Sequence, residues 1–432
     1  MQQAELRRMV KQCVRCGQCR SACPIFKEDH IEGDVSRGKL ASLRGYLEGR
    51  NITEAVLNRI LSKCLMCKTC AFQCPSGVKA HELILAGREM LAAKAGLPPV
   101  KRLFFDLLKH RKVFDATLSA ASLVQGLGLK RLGGSGLGAV LRFPMPGLSR
   151  RRVLSPFAAK SLRKQYPEVL RVRQPAARVA FFTGCTTNYI YTDTGRAAIQ
   201  VLLANQVEVV MPKQQHCCAF PILTSGDVAT AKLMARHNID VFSSLTVDAV
   251  ITVCGSCGSA WRHEYRRLLA EEPEYLAKLE TVAAKCYDIA EYLVDVKPFD
   301  KSMLGTVDMT VTVHDPCHLG TRGLNVTSQV RKLLGAIPGL AIAEMKEPGR
   351  CCGSGGSFSL AHYDLSRKIN DSKVNDIAGT GADAVVMGCG SCRMHILDGL
   401  QQNGSRQNAL HFIQILAKAC EAGKSSEILA KC

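Results

Sequence analysis

The chain has 432 residues, 21 of them cysteine, with a hydrophobic share of 47% and a formal net charge of +20. That length exceeds one ordinary core and implies two or three domains. The apolar share excludes a disordered chain, and no run of about 18 apolar residues offers a bilayer-spanning helix. The cysteines come in tight clusters, and the opening MQQAELRRMVKQ lacks the apolar centre of a secretory leader. Metal ligation in a reducing compartment is therefore expected, not a disulfide scaffold.

In chain order, CVRCGQCRSACP places Cys13, Cys16, Cys19 and Cys23, and CLMCKTCAFQCP places Cys64, Cys67, Cys70 and Cys74. Both read C-x2-C-x2-C-x3-C-P. At this spacing three cysteines of a run ligate one cubane [4Fe–4S] cluster and the fourth ligates the other. The expected sets are Cys13, Cys16, Cys19 with Cys74, and Cys64, Cys67, Cys70 with Cys23. A pair of zinc knuckles fits less well, because a zinc site takes four ligands and has no use for the whole run twice. Pro24 and Pro75 stop the chain after each fourth cysteine. Between the runs, SRGKLASLRGYLEG and TEAVLNRILSK carry apolar residues at helical spacing, so the arms are expected on helices. This module, residues 1–97, resembles the helical ferredoxin domain of respiratory iron–sulfur subunits.

Residues 98–177 read as a basic helical and Gly/Pro-rich linker. Between Pro98 and Pro175 there are 16 Lys/Arg against 3 Asp/Glu, a local charge of +13. KRLFFDLLKHRKVF, from Lys101, reads as one basic amphipathic helix, either packed with a solvated face or docked on a partner or membrane surface. Gly134, Gly136 and Gly138 form a GxG-like run, but no strand precedes them and no acidic residue follows at the right distance, so they read as linker.

From Arg178 the chain repeats itself, an internal duplication of roughly 100–110 residues. RVAFFTGC answers MTVTVHDPC, HCCAFP answers RCCGSGG, DAVITVCGSCGSA answers DAVVMGCGSCRMH, and YDIAEYLV answers HFIQILAK. Short apolar runs ending at a cysteine alternate with helical patterns, which implies two α/β domains, 178–300 and 301–432, with mainly parallel sheets. Ligands of such sheets collect at the carboxyl ends of strands, where Cys185, Cys254, Cys317 and Cys389 fall. The first copy has Cys185, Cys217, Cys218, Cys254 and Cys257; the second has Cys317, Cys351, Cys352, Cys389 and Cys392. Five thiols per copy exceed the needs of a zinc site or a regular cube. Gly255 and Gly390 are expected to leave room beside a bulky cofactor. His216, His314 and His318 lie near these cysteines, as ordinary packed histidines or as hydrogen-bond partners of a cluster. Cys286 and Cys420 are expected on helices as core residues or free thiols, and Cys432 does not form a prenylation box.

The repeat resembles the cysteine-rich CCG domain family, which includes the catalytic subunit of heterodisulfide reductase. That resemblance implies up to two non-cubane [4Fe–4S] clusters, one on each set of five cysteines. The overall fold class is α+β multidomain. The whole layout resembles the glycolate oxidase iron–sulfur subunit, and also the anaerobic glycerol-3-phosphate dehydrogenase C subunit and the heterodisulfide reductase D subunit. Both C-x2-C pairs are intact here, unlike in many glycolate-type members, and the first doublet is followed by Ala219 where the second has Gly353.

No flavin or nicotinamide fold, P-loop or Ser-His-Asp set is legible, so no catalytic residue is assigned. The resemblance implies an oxidoreductase: the iron–sulfur electron-transfer subunit of a glycolate or D-lactate dehydrogenase complex. Its partners would be a flavin-binding hydroxy-acid dehydrogenase subunit and a quinone or other membrane acceptor, with no nucleic acid. It would be cytoplasmic, with peripheral contact on the inner face of the cell membrane open. The alternatives are a disulfide reductase using non-cubane clusters, a glycerol-3-phosphate electron-transfer subunit, and a redox-sensing or scaffold protein with structural clusters.

Overall fold

The structure is a computed structural model that describes residues 3–132, 138–143, 149 and 151–423. Gly134, Gly136 and Cys432 lie outside the described residues.

The N-terminal part is built on helices Gln3–Val10, Ser36–Leu47, Glu54–Ser62 and Ala80–Ala95. Leu40, Leu43, Leu47, Leu57, Leu61, Leu83 and Ile84 recur at helical spacing and are fully buried between them. Thr53 caps the third of these helices by accepting from the Val56 N–H at 3.3 Å. Gly87 lets it approach the fourth closely, since a Cβ there would sit 2.7 Å from Leu61 Cδ1. The two cysteine runs project from one end of this bundle as loops with single helical turns, Cys19–Ala22 and Thr69–Phe72.

The basic segment departs from its expected form. It makes two helices, Pro99–Lys109 and Arg111–Gly128, broken at His110 (φ −94°, ψ 73°). Gly126 and Gly128 end the second helix, and a hairpin follows, β1 (Leu129–Arg131) antiparallel to β2 (Ala139–Leu141).

Two α/β units follow. The first sheet contains β3 (Val169–Leu170), β4 (Ala177–Phe182), β5 (Val207–Val210), β6 (Ala249–Thr252) and β7 (Cys286–Asp288), in the order β3-β5-β4-β6-β7. Only β3 is antiparallel. The second contains β8 (Met309–Val313), β9 (Leu340–Ile342), β10 (Ala384–Met387) and β11 (Asn408–His411), all parallel, in the order β11-β10-β8-β9. The two sheets have one topology, with β4, β5, β6 and β7 matching β8, β9, β10 and β11. Val179 pairs with Ala249 as Val311 pairs with Ala384. In both, the chain reverses its direction of travel across the sheet beside the first strand. The crevice at that switch point lies between β4 and β6, or between β8 and β10. Cys286 is not helical: it opens β7, pairs with Val250 and is buried. Cys420 lies on the helix Phe412–Gly423 and is buried.

The two units are packed with their switch points facing. The Gly255 N–H donates to the Gly388 carbonyl at 3.0 Å. Arg393, 1% exposed, donates to both Asp193 oxygens at 2.9 and 3.2 Å and lies over the Tyr191 ring.

Candidate metal centres

Each N-terminal run is wound by paired left-handed residues. Arg15 (φ 58°) and Gly17 (φ 91°) flank Cys16, and Met66 (φ 56°) and Lys68 (φ 62°) flank Cys67. Left-handed backbone costs a non-glycine residue about 1–2 kcal/mol, and here it curls each loop so that its sulfurs turn inward. Cys13, Cys16, Cys19 and Cys74 line one cavity. Cys23, Cys64, Cys67 and Cys70 line a second. Cys70 borders both, so the two cavities adjoin. Five thiols line the first cavity, Cys70 among them, and four the second, so each offers the four donors that a cubane cluster takes.

Burial pushes the Cys23 thiol up to about 12. The second cavity is lined by Lys39, which sequence reading missed: it is 2% exposed and donates to the Asp34 carbonyl, and burial lowers its pKa while thiolates of Cys64 and Cys23 would act to raise it. Arg88 ties the same arm down, donating to the carbonyls of Leu61, Cys64 and Thr224 at 2.7–2.8 Å.

In the repeated units all ten cysteines gather at the switch points. Cys254 and Cys389 stand at the N-termini of Gly255–Ser259 and Gly390–Gln402 in extended conformation (φ −149° and −155°), and Cys257 and Cys392 follow in the first turn. Each doublet is held from below by an asparagine. Asn238 Nδ2 donates to the Cys217 carbonyl at 3.0 Å, and Asn370 Nδ2 to that of Cys352 at 2.9 Å. In the first copy, the Cys217 and Cys257 thiols donate to Cys218 and bring it down to about 6. In the second, Cys351 and Cys392 do the same to Cys352, which lies well below the usual thiol range. These sulfurs share protons that metal binding would release. A further cradle is Gly184 (φ 63°), where a Cβ would sit 2.9 Å from Cys257 Sγ. The five-sulfur sets therefore fit a multinuclear cluster. Gly255 and Gly390 also face the opposing unit. A Cβ at Gly255 would meet the Leu319 backbone nitrogen at 3.0 Å, and one at Gly390 would meet Thr186 Oγ1 at 2.4 Å. They make room for the opposing unit.

The sites touch in series. The Cys67 thiol is pushed well above its ordinary range by the neighbouring Cys351 thiol and by burial, so the second cubane arm abuts the second copy. Cys23, Cys67, Cys317 and Cys351 share one small cluster with Ile25, Leu65, Phe358 and Ile369. Across the two units, Cys254 Sγ and Cys389 Sγ are 3.9 Å apart.

The histidines differ from one another. His216 packs edge-on against His237. His318 Nε2 lies 3.2 Å from the Met66 carbonyl, and its ring packs on Phe220. His314 is buried and makes no hydrogen bond of ordinary geometry through either ring nitrogen. Burial holds it down to about 3, so its imidazole is neutral.

The cysteine-rich (CCG) domain model matches residues 179–261 and 311–397, and a 4Fe-4S dicluster domain model matches residues 9–78. The chain is 30% identical over 418 residues to the "Probable glycolate oxidase iron-sulfur subunit" of Bacillus subtilis (strain 168), covering 94% of this chain and 93% of that protein. It is 27% identical over 395 residues to a subunit of the fumarate reductase (CoM/CoB) of Methanothermobacter marburgensis, covering 91% and 68%. A solved structure, that of a hypothetical protein from Helicobacter pylori, matches 99% of this chain and 78% of its own at 10% identity with a TM-score of 0.51, a likeness of fold alone.

Proposed function

The chain belongs to the glycolate oxidase iron–sulfur subunit family, and from that premise we propose that it is the electron-transfer subunit of a 2-hydroxy-acid dehydrogenase complex. Glycolate or D-lactate would be oxidised on a separate flavoprotein. Electrons would leave this chain for a quinone or another membrane acceptor. Cys13, Cys16, Cys19 and Cys74 would hold one cubane [4Fe–4S] cluster and Cys23, Cys64, Cys67 and Cys70 a second. The two five-cysteine sets would hold non-cubane clusters. When bound, these groups supply one-electron carriers.

The observation that carries the reading is the serial contact of the sites. Cys70 borders both cubane cavities. Cys67 meets Cys351, and Cys389 meets Cys254. The chain's own residues would set the sites in contact, with Lys39 beside the second cubane cavity and most thiols of the repeated units buried, while Cys16 of the first run is exposed. No helix among the described residues is long and apolar enough to cross a membrane. A docking face is offered by the basic segment, where Leu103, Phe104, Leu123 and Leu127 are exposed beside its lysines and arginines.

Reconstitution tests this. The flavoprotein alone should reduce the physiological acceptor slowly, and addition of this chain should restore the rate. A flavoprotein that reaches full rate by itself contradicts the proposal. The intact set of ten cysteines, together with the similarity to a CoM/CoB fumarate reductase subunit, favours a second reading as a disulfide reductase. Disulfide turnover by the purified chain with a reduced viologen would support that reading, and its absence would remove it.

A further inference from the structure

The two five-cysteine sites are not equivalent, and the difference lies on one register position. Phe182 ends β4 opposite Thr252. Its counterpart three residues before Cys317 is His314, whose N–H continues the β8 ladder by donating to the Val386 carbonyl at 2.9 Å. In the first copy the side chain is purely apolar: the Phe182 ring packs against Phe242 and Trp261 with centroids 5.6 Å away in each case. In the second copy the same position aims an imidazole at sulfur. A His314 ring nitrogen and the Sγ atoms of Cys352 and Cys392 all lie within 4.8 Å of one another.

We propose that His314 is an additional ligand of the metal centre in the second copy. That centre would be bound by Cys317, Cys351, Cys352, Cys389, Cys392 and one imidazole, whereas the first would be bound by thiolates alone. The inference rests on the reading that the second copy holds a cluster.

Two observations carry it, the approach of the ring to the two sulfurs and its unpartnered nitrogens. A buried polar group without a partner costs about 1–3 kcal/mol, and both nitrogens of His314 are in that state among the described residues. Replacing thiolate character by imidazole raises the potential of an iron–sulfur centre, so the second copy would hold the higher-potential centre of the two.

The test uses the full chain, purified without oxygen from cells grown on ¹⁴N- or ¹⁵N-histidine, with its centres poised in paramagnetic states for pulsed electron paramagnetic resonance. One centre should show a nitrogen coupling of directly bound strength that changes with the isotope. The coupling should vanish in both His314→Phe and His314→Gln, and that centre's midpoint should fall while the cubane signals stay. The isotope comparison needs no variant, so it decides the matter even where a variant fails to fold. Iron at the second copy with no bound-nitrogen coupling, only a weak one, or one that survives both variants overturns the proposal alone. A second copy without iron overturns both the proposal and the reading on which it rests.

Discussion

Ala219 takes φ 57°, the same left-handed turn that Gly353 takes at 85°. The methyl after the first doublet is therefore a backbone expense of about 1 kcal/mol, not a reshaped site. Ala219→Gly relieves it, against the extra freedom that glycine gives the unfolded chain. Thermal denaturation should show a gain of no more than about 1 kcal/mol, with cluster absorption unchanged. The reverse change is costly, because a Cβ at Gly353 would meet the Ser366 carbonyl at 2.6 Å. Gly353→Ala should lose about 2 kcal/mol in the same assay. The ligand pairing makes a second prediction at this scale. Cys74→Ser and Cys13→Ser, 61 positions apart, should abolish the same cubane signal and leave the other. If they abolish different signals, the pairing is wrong. The cysteines could be read from spacing because a metal site repeats its ligand types. Lys39, Asn238 and Asn370 could not, since each acts on a group far away in the chain. The closeness of the opposing unit at Gly255 and Gly390 was not legible for a related reason: what crowds a glycine is set by the unit that faces it.

The helices and parallel strands were legible where the apolar period was long, as in Ser36–Leu47, and where β-branched runs ended at a cysteine, as in β6. β7 was not, because a three-residue strand carries no period, and Cys286 was placed on the neighbouring helix. The basic segment gave the right composition and the wrong number of helices. Its two helices leave Leu123 and Leu127 at 83% and 76% exposure, which no folded contact explains. Leu123→Glu combined with Leu127→Glu should weaken binding to the flavoprotein or to anionic vesicles at least tenfold. Stability should change by less than about 0.5 kcal/mol, as for other exposed sites. Unchanged binding to both would make this face a bare surface.

For the whole molecule, the domains are held by a few cross-contacts that also align the sulfur sites. Arg393 is bound to Asp193 by two bonds, with a further bond to Thr194 Oγ1 at 2.9 Å. Arg393→Leu should cost about 2–3 kcal/mol, below the value for a fully buried pair because the Asp193 side chain is 28% exposed. Acid should loosen the same packing. Burial holds His395 and His411 down to about 4, and His411 Nε2 lies 2.9 Å from the Val253 carbonyl of the other unit. Their folded values lie below the unfolded value of about 6.5, so the unfolded chain binds more protons between the two. Their contribution is fully present above about pH 6.5 and is lost as pH falls towards 4, at up to about 1.4 kcal/mol per unit for each histidine. Melting temperatures should decline over that window, and a flat profile would contradict it. The duplication and its two facing sites were legible as a repeat, but the contact of Cys67 with Cys351 was not, since it joins residues 284 positions apart. The account stands on all four sites being filled in one chain. Iron and acid-labile sulfide should therefore be counted on anaerobically purified protein: about 16 iron atoms per chain is expected for four clusters, and about 8 would leave the repeated units empty and contradict it.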